Sequence, residues 1–301
     1  MEFEARLQTM RIATYLHQGQ RCVGLVDIQA RTVTPLALTE AEAARGALPL
    51  VERAAQGEAP PPAAGAAVSL DAVQLEAPIP LPRRNVWCVG RNYHAHAKEL
   101  RETVFKNSNA DPQAWPIVFT KVPECVVATG TDVRLPGAAV SSQIDYEAEL
   151  AIIIGKGGRN ISKAEALSHV FGYTIVNDVT ARDVQMRHQQ WDLGKSFDTF
   201  CPMGPWIVSA DELDGQSTRV RCWVNGALRQ DARTEDLIFD LPTLIETCSR
   251  GITLLPGDVI ATGTPAGVGM GLNPPVWLQH GDVVRIEIDG IGTLENPVVG
   301  G

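Results

Sequence analysis

The sequence predicts an α+β fold that is mostly β. Short runs rich in β-branched residues, such as 151–154, outnumber helical patterns along the chain. The dipeptides Asn225-Gly226 and Asp289-Gly290 are typical of tight turns between strands. The predicted strands do not alternate regularly with helices, which argues against a doubly wound parallel sheet.

The N-terminal part is predicted to form a small β/α unit. Residues 11–36 contain short strand-like runs, and Thr39 with Glu42 has the pattern of a capping box for a helix through about Ala54. Residues 57–84 are rich in alanine and proline, as linkers are. We therefore predict a small domain over residues 1–70 and a larger one over residues 71–301.

The larger domain begins with a predicted strand at 85–89, followed by a helix that Asn92 caps and that runs through about Arg101. Residues 102–115 are polar and irregular, which predicts a mobile loop of the kind that closes over an active site. The remaining predicted elements are strands at 117–121, 205–209, 219–224, 258–262 and 283–288 and a helix at 241–248.

The composition excludes several classes of function. The chain has 301 residues, 45% hydrophobic and 20% charged, as expected of a soluble globular protein. A net charge of −9 without a long basic run argues against nucleic acids and anionic membranes as partners. No apolar run is long enough to span a bilayer, and no signal peptide is visible. The six scattered cysteines predict reduced thiols in a cytoplasmic protein.

Carboxylates are concentrated at the start of a strand predicted over residues 143–154. Because residues two apart point to the same side of a strand, Asp145, Glu147 and Glu149 are expected to share one face. Clustered carboxylates suit a hard divalent cation, namely Mg²⁺, Mn²⁺ or Ca²⁺. The alternative is a strand with one solvated acidic face. A second apolar strand, at 171–177, delivers Asp178 at its end, and this favours the metal site.

Two cations and a glycine-rich loop follow the acidic segment. Arg182 and Lys195 would place positive charge beside the site, as an anionic substrate requires, although ordinary salt bridges are the alternative. Gly194-Lys195-Ser196 ends like a phosphate loop, but the required upstream glycine is absent. Residues 263–271 lack the dinucleotide-binding spacing, so we expect a loop whose backbone lies close to a small ligand.

His96 and Glu99 form a second candidate constellation. On the predicted helix they are neighbours at positions i and i+3. A carboxylate on one ring nitrogen orients the imidazole and leaves the other nitrogen to take a proton from water. The alternative is an ordinary His–Glu pair at the surface. His94 faces elsewhere on the helix and is interpreted as structural.

Together these segments resemble the fumarylacetoacetate hydrolase family. The resemblance covers about residues 85–299, and its five motifs occur in the same order along the chain. The motifs are Val89-Gly90-Arg91-Asn92-Tyr93 with His96 and Glu99, Asp145–Leu150, Asn177–Gln185, Gly194–Phe197 and Thr262–Gly269.

The resemblance implies a mixed β-sandwich roll of the type found in the family's C-terminal domain, a homodimer, and one divalent metal per site. It implies metal ligands at Glu147, Glu149 and Asp178, catalytic roles for His96, Glu99 and Lys195, and substrate contacts from Lys121, Arg182, Gln185 and Thr264. Asp145 then lies behind the ligands. Val89 stands where fumarylacetoacetate hydrolase itself has a further metal-binding aspartate, so the chain is more similar to the short-chain acylpyruvate and fumarylpyruvate hydrolase branch.

The residues and the resemblance favour hydrolysis of a C–C bond in a small 2-oxo or 2,4-diketo acid, with Mg²⁺ or Mn²⁺ as cofactor and Ca²⁺ as an alternative. His96, oriented by Glu99, would activate water, and the metal and Lys195 would stabilise the enolate that leaves. One alternative is a decarboxylase of the oxaloacetate type or another lyase or isomerase of the family. The other is a binding protein that keeps the fold without catalysis.

Overall fold

A computed structural model describes residues 10–103, 115–187 and 190–300. The strands in these ranges are β1 Arg11–His17, β2 Gln20–Asp27, β3 Thr32–Pro35, β4 Val68–Ser69, β5 Gln74–Glu76, β6 Val86–Gly90, β7 Ile117–Lys121, β8 Val126–Val127, β9 Val133–Arg134, β10 Ile144–Asp145, β11 Ala148–Ile154, β12 Val170–Asn177, β13 Thr180–Ala181, β14 Cys201–Ser209, β15 Arg219–Val224, β16 Ala227–Arg233, β17 Val259–Ala261, β18 Val283–Ile288 and β19 Gly292–Val299. The α-helices are α1 Glu40–Ala43, α2 Leu48–Ala55, α3 His94–Thr103, α4 Arg182–Gln185, α5 Asp192–Lys195 and α6 Leu241–Ser249.

One large mixed sheet organises the molecule. Its strand order is β4-β3-β2-β1-β14-β12-β11-β17-β6-β7, with β5 paired to β1 and β8 paired to β14. A second sheet has the order β16-β15-β18-β19-β9, and β10 pairs with β13. Most pairings are antiparallel, whereas β6 with β17, β8 with β14 and β9 with β19 are parallel. The predicted α+β, mostly-β fold with mixed sheets is confirmed.

The centre of the large sheet is covered on both faces. Every residue of β11 is buried, and its successive side chains enter two different cores. Leu150, Ile152 and Ile154 pack on one side, while Ala151 and Ile153 pack on the other. A strand covered on both faces needs no polar side, which explains its uninterrupted apolar run.

The N-terminal strands continue the large sheet. Arg11 and Ile12 of β1 pair with Val208 and Ile207 of β14. The segment expected to be a linker contributes β4 and β5, and β5 pairs with β1. The sheet therefore runs without a break across residue 70, and the division into domains at that residue stays a prediction.

Two helix predictions differ from the structure for identifiable reasons. The capping box of Thr39 and Glu42 is present, but the helix ends after Ala43 and a second one starts at Leu48. Between them Gly46 has φ +64°, and a Cβ there would lie 2.4 Å from the carbonyl oxygen of Pro78. A continuous helix would be excluded by this left-handed backbone and close contact.

The predicted cap at Asn92 is wrong, because α3 begins at His94. The Asn92 side chain instead donates to the carbonyls of Thr262 and Phe239 and accepts from the Phe239 N–H. It thereby ties the start of the α3 segment to the strand end before the glycine-rich loop.

Two further expectations have different outcomes. Ser162 and Glu165 have the sequence pattern of a capping box that opens a short helix, but the structure has a single 3₁₀ turn there, Ala166–His169. The predicted loop at 102–115 begins within α3, and its residues 104–114 lie outside the described residues. In the described part of the chain, no helix has the length and apolar character needed to cross a bilayer.

Candidate functional site

Three buried carboxylates meet where β11 and β12 run side by side. The antiparallel register places Ala148 opposite Asn177, so Glu147 and Asp178 come from adjacent strand ends, and the Asp178 N–H donates to the Glu147 carbonyl at 2.9 Å. Glu149 lies one residue further into β11 than Ala148. One ligand oxygen from each of Glu147, Glu149 and Asp178 lies within 4.8 Å of the others. The strand placement predicted from the sequence thus brings these three side chains together.

Lys195, at the end of α5, bridges two of the three carboxylates. Its Nζ donates to Glu147 Oε2 at 2.8 Å and to Asp178 Oδ2 at 2.7 Å. Arg182 NH2 forms an ion pair with Glu147 Oε1 at 2.6 Å. Burial would raise the pKa of Glu147, but the charges of Arg182, Lys195 and His96 outweigh burial and lower that pKa below its usual value.

Lys121 lies behind the carboxylates and does not line the cleft in front of them. Its Nζ donates to Asp178 Oδ1 at 2.6 Å, to the Val179 carbonyl at 3.0 Å and to the Lys195 carbonyl. Although burial lowers the pKa of Lys121, the charge of Asp178 more than offsets this and raises it above the ordinary value. This position suits Lys121 to holding Asp178 and Lys195 in place rather than to the substrate contact predicted from the sequence.

We expect Lys121→Met to destabilise the metal-free protein by about 1–3 kcal/mol, because Asp178 and two carbonyls lose a buried hydrogen-bond donor while Lys195 still pairs with Asp178. Urea unfolding of both proteins measures the difference. The matched control is Lys163→Met, because Lys163 pairs with Asp240 at 2.9 Å with both side chains about half exposed. That change should cost no more than about 1 kcal/mol. Equal losses in the two variants would contradict a supporting role for Lys121.

His96 and Glu99 form the predicted pair on α3. The His96 Nδ1 lies 3.1 Å from Glu99 Oε2, and His96 is buried. Glu99 Oε1 also accepts the Gly267 N–H at 3.0 Å, which fixes the carboxylate from the glycine-rich loop. A Cβ at Gly271 would lie 2.2 Å from the Glu99 carboxylate, so this loop must be glycine at that point. With Nδ1 directed at Glu99, the His96 Nε2 is the nitrogen left for proton transfer.

Asp145 does not join the three carboxylates. It is the last residue of the short strand β10, and two residues separate it from the start of β11. Its carboxylate accepts from Gly269 N–H at 2.7 Å, from Met270 N–H at 3.0 Å and from Arg182 Nε at 2.8 Å. The expectation of three carboxylates in a row on one strand is therefore wrong, and Asp145 anchors both Arg182 and the glycine-rich loop.

Glu147, Glu149 and His96 line a cleft of about 390 Å³, including the part open to solvent. Three of the predicted substrate-contact residues, Arg182, Gln185 and Thr264, also line it. Arg182 NH1 donates to Gln185 Oε1 at 3.2 Å, so these two side chains form one unit. Of the predicted site residues, only Asp178, Lys121 and Glu99 do not line the cleft, and each of them contacts a residue that does.

Sequence reasoning missed one residue that shapes this cleft. Gln230 of β16 is buried, and its Nε2 donates to Thr264 Oγ1 at 2.7 Å and to the Pro265 carbonyl at 2.8 Å. Its Oε1 accepts the Ala148 N–H at 3.0 Å. Gln230 thus connects the glycine-rich loop to the start of β11. Its only signal in the sequence is a polar residue at an inward position of a strand, which is too common to single it out.

A comparison with protein-family models settles the family. Residues 85–299 match the model described as the fumarylacetoacetate (FAA) hydrolase C-terminal domain, the same range as the resemblance found in the sequence. The chain belongs to the fumarylacetoacetate hydrolase family.

Individual members of the fumarylacetoacetate hydrolase family are similar to this chain over most of its length. The oxaloacetate tautomerase YisK of Bacillus subtilis is 52% identical over 231 residues, which cover 76% of this chain and 74% of that protein. A fumarylacetoacetate hydrolase structure from Exiguobacterium antarcticum has 39% identity and a TM-score of 0.84, covering 97% of this chain and 100% of its own. The maleylpyruvate hydrolase of Sphingobium sp. SYK-6, solved with manganese(II) and pyruvate, has 32% identity, a TM-score of 0.76 and the same coverage.

Enzymes of this family use divalent metals, and the acidic cluster fits such an ion. All three candidate ligands are buried carboxylates, the oxygen donors that hard cations prefer. Among the hydrogen bonds between described residues, Glu149 accepts only the Gly263 N–H, at 2.9 Å. Burial and the charges of Asp178 and Glu147 raise the pKa of Glu149, and Lys195 offsets this only in part. A divalent cation would supply the positive charge needed to balance the Glu149 carboxylate.

Proposed function

We propose that this protein is a metal-dependent tautomerase that interconverts the enol and keto forms of oxaloacetate. The observation that carries the proposal is its 52% identity with a relative named for that activity. The site supports it, because the buried His96, held by Glu99, lines the same cleft as Glu147 and Glu149 of a cluster suited to a divalent ion. Keto–enol tautomerisation requires that one proton is gained or lost at C3 and another at the oxygen on C2. Unlike hydrolysis, it requires no water molecule as a nucleophile.

Glu147, Glu149 and Asp178 would hold the metal, and we propose Mg²⁺ or Mn²⁺ as the ion. When bound, it supplies Lewis-acid polarisation of the 2-oxo group, which makes the neighbouring C–H bond more acidic. Lys195 pairs with both Glu147 and Asp178 and so holds positive charge beside these two proposed ligands.

His96 is the residue that moves the proton. In the keto-to-enol direction, Nε2 takes a proton from C3, the electrons of that C–H bond form the C2–C3 double bond, and the carbonyl oxygen takes a proton from water. The reverse direction returns the proton from Nε2 to C3. Glu99 holds the ring through Nδ1 and stabilises the protonated imidazole.

Hydrolysis of a C–C bond in an acylpyruvate-type acid is the second candidate function. Two observations favour it. The His96–Glu99 pair could equally activate water, and the maleylpyruvate hydrolase structure shares the fold over 97% of this chain.

A direct assay separates the two functions. Solid oxaloacetic acid in its enol form is dissolved in buffer with Mg²⁺ or Mn²⁺, and the decay of the enol absorbance is followed with and without enzyme. In parallel, maleylpyruvate and acetylpyruvate are incubated with the enzyme and the products identified. We expect faster enol decay, no matching release of pyruvate from oxaloacetate, and slow or absent cleavage of the diketo acids. Rapid cleavage of a diketo acid with unchanged enol decay would overturn the tautomerase proposal in favour of the hydrolase.

A further inference from the structure

Gln230 lies at an irregular point of β16, where the strand meets the glycine-rich loop. The strand is largely exposed, but Gln230 within it is fully buried. The pairing of β16 with β15 shifts register between Cys222 and Trp223, which leaves Arg229 as an extra residue beside Gln230. Such a bulge redirects the side chain next to it. The loop packs closely on the bulge, because a Cβ at Gly267 would overlap the Arg229 carbonyl oxygen.

The orientation of the Gln230 amide follows from its three partners. The Ala148 N–H can only donate, so it must meet the amide oxygen, which lies 3.0 Å away. The Pro265 carbonyl can only accept, so it must meet the amide nitrogen, at 2.8 Å. The second N–H of that nitrogen is directed at Thr264 Oγ1, at 2.7 Å. Because an amide nitrogen cannot accept a hydrogen bond, the Thr264 hydroxyl is the acceptor in this contact.

The Thr264 O–H is then a donor with no acceptor among the described residues. Thr264 is only 2% exposed, yet it lines the same cleft as Glu149. The chain is held on both sides of it, since the Gly263 N–H donates to Glu149 at 2.9 Å and the Pro265 carbonyl accepts from Gln230. A buried hydroxyl without an acceptor is costly, and an oxygen of a ligand in the cleft would remove that cost.

We propose that Gln230 is a positioning residue that commits the Thr264 hydroxyl to donating a hydrogen bond to an anionic oxygen of the ligand. This rests on the proposed function, because it assumes that a 2-oxo acid binds in the cleft beside the acidic cluster. Gln230 acts through Thr264, since its own amide is fully used by protein partners. A carboxylate or enolate oxygen accepts the bond, and its charge makes the bond stronger than one between neutral groups.

The test measures the affinity of the Mg²⁺-loaded protein for oxalate by calorimetry in Gln230→Glu and Gln230→Met, each with and without Thr264→Val. Above neutral pH an introduced carboxylate only accepts, so the Thr264 O–H would turn towards it and present lone pairs to the oxalate. Methionine has a similar volume and leaves the hydroxyl free to turn either way. The matched control is Gln74→Glu, because Gln74 is an exposed residue of β5 that does not line the cleft.

We expect Gln230→Glu to weaken oxalate binding by about 10- to 100-fold, the loss typical of a hydrogen bond to a charged group, and Gln230→Met by less than about 10-fold. A merely structural role predicts the reverse order, because methionine also loses the bond to Ala148 that glutamate keeps. With Thr264→Val, most of the difference between the two Gln230 variants should disappear. Gln74→Glu should match the wild type.

The reverse order, or the same difference with and without the Thr264 hydroxyl, would overturn the inference. The second result would assign the loss to the added negative charge alone. If the Gln230 variants do not fold, Thr264→Val with the oxalate affinity of the wild type would overturn it instead, as would a wild-type protein that does not bind oxalate. Failure of the tautomerase assay with the expected binding pattern intact would count against the proposed function alone.

Discussion

Replacing Glu149 by glutamine is expected to raise the melting temperature of the metal-free protein and to remove most of the further rise that Mg²⁺ or Mn²⁺ causes in the wild type. Glu149 is buried beside Glu147 and Asp178, and their negative charges together with burial raise its pKa. Without a metal, this carboxylate opposes folding, because its like-charged neighbours repel it. A glutamine relieves the repulsion, and its side-chain oxygen can still accept the Gly263 N–H.

The metal reverses this effect in the wild type. An ion present at about 100 times its Kd stabilises the folded state by about 2.7 kcal/mol, and a protein with one carboxylate ligand removed loses most of that gain. Activity should fall by about 10³-fold or more, since the Lewis acid supplies several kcal/mol of stabilisation to the transition state. Thermal unfolding with and without metal, metal titration by calorimetry and the enol assay together measure these changes.

Glu124→Gln provides the matched control, because Glu124 is an exposed residue of a 3₁₀ turn and lines no part of the cleft. It should change neither the metal-free melting temperature nor the response to metal. A Glu149→Gln protein that is less stable than the wild type without metal, and that still responds fully to the ion, would remove Glu149 from the metal site.

The sequence allows the acidic cluster to be predicted because strand geometry is local. Strand alternation and the neighbouring apolar runs place Glu147 and Glu149 on one face and Asp178 at a strand end, but they also include Asp145, which only the resemblance sets behind the ligands. The roles of other residues depend on partners distant in the chain. Lys121 reaches Asp178 from β7, 57 residues earlier, and nothing in its own segment indicates which carboxylate it will meet.

Contacts with distant residues also explain where the predicted local structure is wrong. The helix break at Gly46 depends on the carbonyl of Pro78, and the absence of a cap at Asn92 depends on Thr262 and Phe239. Helix propensity and capping patterns describe a segment in isolation, whereas tertiary contacts choose between the conformations that each pattern allows.

Replacing His96 by asparagine is expected to slow the interconversion of enol and keto oxaloacetate by about 10²- to 10⁴-fold, the usual contribution of a positioned acid or base. His96 contributes no atom to the carboxylate cluster, so the affinity for Mg²⁺ or Mn²⁺ should stay close to that of the wild type. Glu99→Gln should cause a smaller loss, because the ring remains but the charge that stabilises its protonated form is removed.

His94→Asn is the matched control for this experiment, since His94 is exposed on the same helix two residues before His96. The control should keep the wild-type rate, and calorimetric metal binding should show that all three variants retain the site. Wild-type tautomerisation by His96→Asn would assign proton transfer to another group. If instead only the cleavage of a diketo acid fell, His96 would be the base that activates water, and the hydrolase would become the better assignment, because only that reaction needs a nucleophile made from water.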